Sequence, residues 1–251
     1  MKINPERLVI GKRAVAEVLR SSSERVESVL CAARSGVPEG EVQDLVAKTG
    51  IKIKNIRQDE LSDLSASDSH QGIAAVLKER RYATLNELIQ RSKYSATSLL
   101  VMLDGVSDPH NLGAVMRAAE CFGADGIIWS KNRGVGITPV VTKTSAGASE
   151  LLAAVPVSNL ADALKKLQAE GFWSVAAALT EDAEPLADFK IAQKTVLILG
   201  SEGKGISPLI LKLADFVLQV PMEGSISALN VSQAAAVFMY ELRRKLNMLD
   251  I

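Results

Sequence analysis

The sequence predicts an α/β protein with two domains, the larger of which is built on a parallel sheet. Continuous apolar runs typical of buried strands alternate with helical patterns from residue 97 to the end of the chain. A shorter series of strand and helix patterns precedes them and ends at Leu77. The chain has 251 residues, of which 47% are hydrophobic, which is enough apolar surface to form two cores.

The first series predicts a small α/β domain over residues 1–78. Its pattern predicts helices over Gly11–Arg20 and Glu41–Thr49, with Gly50 as the residue that ends the second helix. It also predicts strands over Val26–Ala32, Ile51–Ile56 and Gly72–Leu77, and a short helix over Glu60–Ser65. Residues 79–96 are polar and charged, so we interpret them as a linker with a helix over Leu85–Arg91.

Residues 97–251 form the predicted parallel-sheet domain. The apolar runs predict strands over Ser98–Leu103, Gly126–Trp129, Ala153–Val157 and Phe172–Ala178. Between them we expect three helices: one that starts near Pro109 with Asn111 as its N-cap and runs to Phe122, a single helix over Thr138–Glu150, and a third over Leu160–Glu170.

Two further strands, predicted to be adjacent, each end in a loop that contains glycine. The run Thr195–Leu199 precedes GSEGKG (Gly200–Gly205), and Phe216–Val220 precedes PMEG (Pro221–Gly224). Asn230 then stands where a helix from about Val231 would have its N-cap. In open α/β sheets ligands bind beyond the carboxyl ends of the strands, and glycine lets the backbone approach them. Either loop alone is an ordinary turn, but the pair predicts a ligand site.

The chain lacks the signatures of several other classes of site. The two histidines, His70 and His110, have no partners at metal-ligand spacing, so no metal is expected. GSEGKGIS lacks the spacing of a phosphate-binding P-loop. The glycines lie in the last third of the chain, whereas a Rossmann-type methyltransferase carries them after its first strand.

Charge and cysteine content constrain the partners and the compartment. With 29 basic and 29 acidic residues, overall charge gives no support for a nucleic-acid partner, although local patches matter more than the sum. Two basic patches fit either RNA contact or a solvated surface: Lys78, Arg80, Arg81, Arg91 and Lys93, and then Lys131 and Arg133. Cys31 and Cys121 lie in apolar surroundings, which predicts buried free thiols and a reducing cytoplasmic setting. We expect neither a signal peptide nor a membrane span.

Three motifs resemble those of the SpoU (TrmH) family of RNA ribose 2′-O-methyltransferases. They are the Asn111-to-Arg117 spacing within DPHNLGAVMRAAE, then GSEGKG, and then VPMEGSISALNVS, in the family's order and covering Leu99 to the C-terminus. The resemblance implies a SPOUT-type parallel-sheet domain with a deep trefoil knot. GKRAVAEVL and SHQGIAAVL resemble the two ends of the family's N-terminal RNA-binding module, which is similar to ribosomal protein L30e. This second match is shorter and less specific.

The resemblance implies a cytoplasmic homodimer that uses S-adenosyl-L-methionine (AdoMet) to methylate a ribose of RNA. In chain length, N-terminal module and motif wording the sequence most resembles members of the family that act on a guanosine in 23S rRNA. A tRNA-modifying enzyme is one alternative, and a non-catalytic RNA-binding factor in ribosome assembly is another. The target nucleotide does not follow from the sequence.

The resemblance also assigns roles to residues. Arg117, Asn111, Glu202 and Asn230 correspond to the family's catalytic positions. The cofactor-binding positions correspond to Gly200, Gly205, Val220, Met222 and Leu229. On residue chemistry alone Arg117 fits an ordinary surface arginine, and Glu202 fits a solvated turn residue. Ala228 occupies a position where many members carry serine, although Ser227 precedes it.

Overall fold

The structure is a computed structural model that describes residues 7–21, 23–32, 38, 40–78, 81–132, 134–225 and 228–246. Arg80, Arg133 and Ser227, which the sequence analysis names, lie outside the described residues. The chain forms two compact units. One combines residues 1–81 with residues 136–151, and the other combines residues 82–135 with residues 152–251.

The first unit contains a four-stranded sheet in the order β1-β4-β2-β3. Strand β4 pairs antiparallel with both β1 and β2, while β2 and β3 are parallel. Its elements in chain order are β1 (Leu8–Ile10), α1 (Lys12–Ser21), β2 (Val26–Cys31), α2 (Glu41–Thr49), β3 (Ile53–Asn55), α3 (Gln58–Ser65) and β4 (Ile73–Leu77). Gly50 takes a left-handed conformation and ends α2 as expected. Strand β1 was not predicted from the sequence.

Two short helices from the middle of the chain complete this unit. They are α6 (Pro139–Thr144) and α7 (Ala148–Leu151), where the sequence predicted one helix over Thr138–Glu150. That prediction was wrong because Ala146 and Gly147 have positive φ angles of 52° and 92°, which end the first helix. The Lys143 ammonium on α6 donates to the Ser69 carbonyl at 2.6 Å.

The second unit is a seven-stranded parallel sheet in the order β7-β6-β5-β10-β8-β11-β9. Its strands are β5 (Ser98–Asp104), β6 (Gly126–Ser130), β7 (Ala154–Val157), β8 (Trp173–Ala177), β9 (Glu184–Pro185), β10 (Lys194–Gly200) and β11 (Phe216–Gln219). Its helices are α4 (Leu85–Lys93), α5 (Pro109–Cys121), α8 (Leu160–Ala169), α9 (Pro208–Leu213) and α10 (Val231–Lys245). The parallel sheet is as predicted, and β9 and α9 were missed.

Helices cover this sheet from both sides. On one side α4, α8 and α9 contribute apolar side chains to a core shared with β5 and β10. Leu88 and Ile89 of α4 are fully part of that core, although the sequence analysis placed them in a linker. Helices α5 and α10 pack against each other, and α10 also packs against β10.

The two cysteines differ in environment. Cys31 is buried on β2, as predicted, whereas Cys121 is exposed. The prediction for Cys121 was wrong because it lies on the last turn of α5, where its position faces away from the core. Among the described residues, no helix combines the length and the apolar character that crossing a membrane requires.

A buried ion pair joins α7 to the rest of the first unit, and its loss should destabilise the protein. Arg25 Nη1 lies 2.5 Å from Glu150 Oε2, and the Glu150 side chain is fully inaccessible. We expect Arg25→Ala to lower the free energy of unfolding by about 3 kcal/mol, because a buried carboxylate loses its charged partner. Urea unfolding measures the effect.

The matched control is Arg57→Ala, which removes an exposed ion pair with Asp59. This change should cost less than about 0.5 kcal/mol. Equal costs for the two variants would contradict a structural role for the buried pair.

Candidate active site

A cleft of about 720 Å³ opens at the carboxyl ends of three strands, β10, β8 and β11. Its walls contain all five residues that the resemblance assigned to cofactor binding: Gly200, Gly205, Val220, Met222 and Leu229. Strand β8 lies between β10 and β11, so the two glycine-containing loops follow strands that are not neighbours in the sheet. The segment after β8, from Ala177 to Thr180, forms part of the wall between them.

The loop after β10 is a tight hairpin whose approach to the strand requires glycine. Ser201 and Gly205 exchange two backbone hydrogen bonds of 3.1 and 2.9 Å. A Cβ at Gly200 would lie 2.1 Å from the Gly205 carbonyl carbon and 2.3 Å from the Ile206 nitrogen. No side chain fits at that separation, so the backbone folds back on itself only because residue 200 is glycine.

Helix α5 begins at Pro109, near the predicted start, but Asn111 is not its N-cap. Its N-cap is Asp108, whose carboxylate accepts a 2.9 Å hydrogen bond from the His110 amide, and Pro109 occupies the first helical position. The predicted N-cap role of Asn111 was therefore wrong. Because Asp108 caps the helix, the buried Asn111 side chain is available for another contact.

Asn111, Glu202 and Asn230 meet in one polar cluster. The side-chain amide of Asn230 donates to Asn111 Oδ1 at 3.0 Å and also to Glu202 Oε1. Asn230 therefore bridges the Asn111 and Glu202 side chains. Because Asn111 Oδ1 is the acceptor, its own NH₂ group points elsewhere and remains a donor for a ligand.

The start of helix α10 fixes the orientation of Asn230. Its Oδ1 accepts from the Ser232 amide at 2.8 Å and from Ser232 Oγ at 2.7 Å. Gln233 accepts from the Asn230 backbone amide, which completes a capping box. With Oδ1 engaged, Nδ2 is the only end of the amide that can point towards the cluster. The predicted N-cap role of Asn230 is confirmed.

Arg117 lies on α5 but outside the cluster and outside the cleft walls. It is six residues after Asn111, so it projects from a different side of the helix, and it is exposed. Within the described residues it forms no hydrogen bond or ion pair. Its guanidinium is thus free to meet an anion from solution.

Helices α5 and α10, which carry these residues, are joined at the C-terminal end of α5. The buried Arg243 of α10 donates to the carbonyl groups of Phe122, at 2.8 Å, and Gly123. Burial lowers the pKa of Arg243, and the charge of Asp125 acts in the opposite direction. A cation at these carbonyls also complements the negative end of the helix dipole.

Sequence reasoning missed two contributors to the site. The wall after β8 follows from the rule that ligands lie beyond strand ends, once the position of β8 in the sheet is known. Ser232 carried no signal, because a serine in the first turn of a helix is common. Ala228 lines the cleft and is exposed, so its methyl group faces open space.

The cleft suits a nucleoside-sized ligand. Its volume falls within the usual range for small-molecule sites, roughly 300–1,000 Å³. Apolar side chains such as Leu218 and Phe238 line it together with the backbone of the two glycine loops. No group of three or more His, Cys, Asp or Glu residues able to hold a metal occurs in the described part of the chain.

Comparison with known proteins gives consistent matches along the chain. The sequence profile of the SpoU rRNA Methylase family matches residues 98–240, and a profile described as RNA 2′-O ribose methyltransferase substrate binding matches residues 8–83. The chain is 37% identical over 242 residues to the 23S rRNA (guanosine-2′-O-)-methyltransferase RlmB of Coxiella burnetii, covering 94% of this chain and 95% of that protein. It is 36% identical to the putative TrmH family tRNA/rRNA methyltransferase YacO of Bacillus subtilis, covering 95% and 96% of the two chains.

Solved structures share the fold. The SpoU methyltransferase AviRb of Streptomyces viridochromogenes in complex with AdoMet superimposes with a TM-score of 0.78 at 24% identity, covering 96% of this chain and 90% of that one. The TrmH/SpoU tRNA modifying enzyme of A. aeolicus has a TM-score of 0.55 at 27% identity and covers 65% of this chain and 82% of its own.

Substitution of Gly200 tests whether the hairpin shapes the cleft. We expect Gly200→Ala to weaken AdoMet binding at least about tenfold, or 1.4 kcal/mol, because the added Cβ displaces the Gly205 backbone. Isothermal titration calorimetry measures the affinity. The control is Gly224→Ala, where no atom lies within 4 Å of the added Cβ. A loss of affinity in the control equal to that in Gly200→Ala would argue against the hairpin.

Proposed function

The chain belongs to the SpoU family of RNA methyltransferases, and we propose that it transfers a methyl group from AdoMet to the 2′-oxygen of a guanosine ribose in 23S rRNA. The family resemblance predicted from the three motifs is confirmed. So are the expected enzyme class and cofactor, since AdoMet-bound structures of this family share the fold. The observation that carries the proposal is the glycine-walled cleft with the Asn111–Asn230–Glu202 cluster at its edge.

Bound AdoMet supplies a methyl group activated by a positively charged sulfur. The residues present fit this ligand, because Gly200 lets the hairpin close into a compact backbone wall and Leu229 and Met222 offer apolar surface. We assign adenosine binding to the backbone of Gly200, Val220 and Leu229, with Gly205 and Met222 completing the wall. Backbone donors and acceptors held by a fixed hairpin need little reorganisation when the ligand binds.

The catalytic assignment rests on which groups are free to act. Arg117 is exposed and free of other described partners, so we assign its planar fork to a phosphate beside the target ribose. From there it stabilises the negative charge that develops on the 2′-oxygen. A guanidinium holds its protons too firmly to serve easily as a base, so we assign Arg117 orientation and charge stabilisation.

Asn111 and Glu202 act beside Arg117 in this proposal. The NH₂ group of Asn111 is a donor aimed away from Asn230, and it suits an oxygen of the substrate. Glu202 is held by Asn230 at the tip of the hairpin, where it accepts a hydrogen bond from the substrate. Asn230 fixes both side chains, because its amide contacts each of them.

The order of strands supports a trefoil knot in the second unit. The chain runs from β8 to β9, then to β10, and only later to β11. In the sheet, however, β11 lies between β8 and β9. The later strand therefore lies between two strands formed earlier in the chain, an order that is compatible with a threaded chain.

The N-terminal part is proposed as the RNA substrate-binding domain. Its α/β composition and the substrate-binding profile over residues 8–83 agree with an L30e-like module. We retain residues 1–78 as this domain, 79–96 as its connection and 97–251 as the catalytic domain, with the differences that residues 82–96 pack with the second unit and residues 136–151 with the first.

We also propose that the enzyme is a homodimer. Val237 and Tyr240 lie one turn apart on α10 and are each 40% exposed. Tyr240 packs edge-on against Phe122 at the end of α5, with ring centroids 6.1 Å apart. Exposed apolar side chains of this kind suit a contact between identical subunits, because a twofold interface repeats the same patch on both.

The 23S rRNA target and a cytoplasmic location belong to the proposal as well. Two relatives named as 23S rRNA (guanosine-2′-O-)-methyltransferases match over nearly their full length at 37–38% identity. A tRNA target is the second candidate, favoured by relatives of comparable identity whose names include both RNAs. An exclusively structural role in ribosome assembly is disfavoured by the intact cluster and by the free Arg117.

Mapping of ribose methylation tests the target. We expect one guanosine 2′-O-methylation of 23S rRNA to disappear when the gene is deleted and to return when it is restored. Methylation-sensitive sequencing of rRNA and tRNA from both strains detects the change. A site lost from tRNA instead would establish the second candidate, and no lost site in either RNA would refute the enzyme assignment for these substrates.

Substitution of Arg117 tests whether this residue acts in methyl transfer and not in cofactor binding. Arg117→Ala should lower the rate of methyl transfer by about 10²–10³-fold, since a transition-state charge contact is lost. AdoMet affinity should stay within about twofold, because Arg117 does not line the cleft. Single-turnover kinetics and calorimetry give the two values, with Arg91→Ala as the control on a surface arginine. Loss of cofactor binding in Arg117→Ala would assign Arg117 a structural role.

A further inference from the structure

We propose that Asp104 is a positioning residue that holds the hairpin of the cofactor cleft at both of its ends. The inference rests on the proposed function of that cleft, but its structural part is testable without any cofactor. Asp104 is the last residue of β5 and is only 5% exposed. Asp104 lies outside the three family motifs, and it belongs neither to the polar cluster nor to the cleft wall.

The first contact lies at the end of the hairpin. Asp104 Oδ2 accepts a 2.8 Å hydrogen bond from the backbone amide of Ser207, which directly precedes helix α9. The Ser207 side chain forms no capping bond of its own. A buried carboxylate that accepts a backbone N–H forms a charge-assisted bond, and this bond ties the chain down where it leaves the hairpin.

The second contact lies at the start of the hairpin. Asp104 is paired in parallel register with Gly200, so pairing between β5 and β10 fixes the position at which the hairpin begins. The next residue, Gly105, has a φ angle of 77°, and a side chain added there would lie 3.6 Å from Ser201 Oγ. Asp104 thus lies beside the start of the hairpin through its backbone and binds Ser207, two residues after Gly205, through its carboxylate.

The length of the side chain at position 104 matters more than its charge for holding the hairpin in place. The Asp104 carboxylate must reach from the end of β5 to the Ser207 amide. The start of the loop is already fixed, because Gly200 packs directly against the Gly205 backbone. An acceptor one methylene further from the backbone would either miss the Ser207 amide or push the hairpin into the cleft. The wall of the cleft therefore depends on an aspartate or on a side chain of the same shape.

The variants separate shape from charge. Asp104→Asn keeps the shape and one acceptor oxygen, whereas Asp104→Glu keeps the charge and changes the length. We expect amide hydrogen exchange at Ser207, measured without cofactor, to be near the original rate in Asp104→Asn. In Asp104→Glu it should rise at least about tenfold, which corresponds to 1.4 kcal/mol of local stability.

AdoMet affinity should follow the same order. Calorimetry should give a dissociation constant within about threefold of the original for Asp104→Asn and at least about tenfold weaker for Asp104→Glu. The control is Asp215→Asn, because Asp215 likewise accepts a backbone amide, from Ser174 at 2.8 Å, but at the amino-terminal end of β8 and so at the other end of the strands from the cleft. This control should leave both the Ser207 exchange rate and the cofactor affinity unchanged.

Two results would overturn the proposal. In the first, Asp104→Glu keeps both the slow exchange of the Ser207 amide and the AdoMet affinity, while Asp104→Asn loses them. The charge of the side chain, and not its length, would then matter. The other is an unchanged Ser207 exchange rate in both variants. A third outcome separates the two proposals. If Ser207 exchange changes as expected but no protein binds AdoMet, the unsubstituted one included, the positioning role of Asp104 is supported and the proposed function of the cleft is refuted.

Discussion

The close approach of the chain to itself at Gly200 is the constraint on which the site depends. Backbone atoms of Gly205 and Ile206 occupy the space that any side chain at position 200 would need. This approach keeps the hairpin short and compact against the end of the central strand β10. Glu202 at its tip then reaches Asn230, at the start of α10, and the hairpin forms one wall of the cleft. A looser loop would leave both the carboxylate and the wall without a fixed position.

Helix caps supply the rest of the geometry. Asp108 caps α5 and thereby leaves the side chain of Asn111 free, although Asn111 also lies in the first turn. Asn230 caps α10 with one end of its amide and contacts Asn111 and Glu202 with the other. A single amide thus stabilises a helix end and orders two site residues. Such groups lose little freedom on ligand binding, because folding has already fixed them.

Local pattern predicted most elements, and tertiary arrangement accounts for what it could not predict. Apolar runs gave β5 and β10, and Gly50 gave the end of α2, because these features depend on neighbouring residues alone. Placement of β8 between β10 and β11 depends on the path of the whole chain, so two loops expected on adjacent strands proved to be separated. The motif residues were identified through resemblance, while their hydrogen-bond partners required coordinates. The choice between Asp108 and Asn111 as N-cap was ambiguous, since both residue types favour that position.

The path of the chain also limits how the two units divide. Residues 136–151 leave the parallel sheet after β6, pack with the first 81 residues and return to β7. Ile137 and Val141 of this segment are completely buried, and Glu150 is paired with Arg25. The chain therefore passes between the units at three points, and the polar stretch at 79–96 is only one of them. Removing the N-terminal residues alone would expose apolar side chains of 136–151 and leave a buried carboxylate without its partner. Because burial of apolar surface drives folding, residues 136–151 are expected to depend on the N-terminal residues for a stable fold.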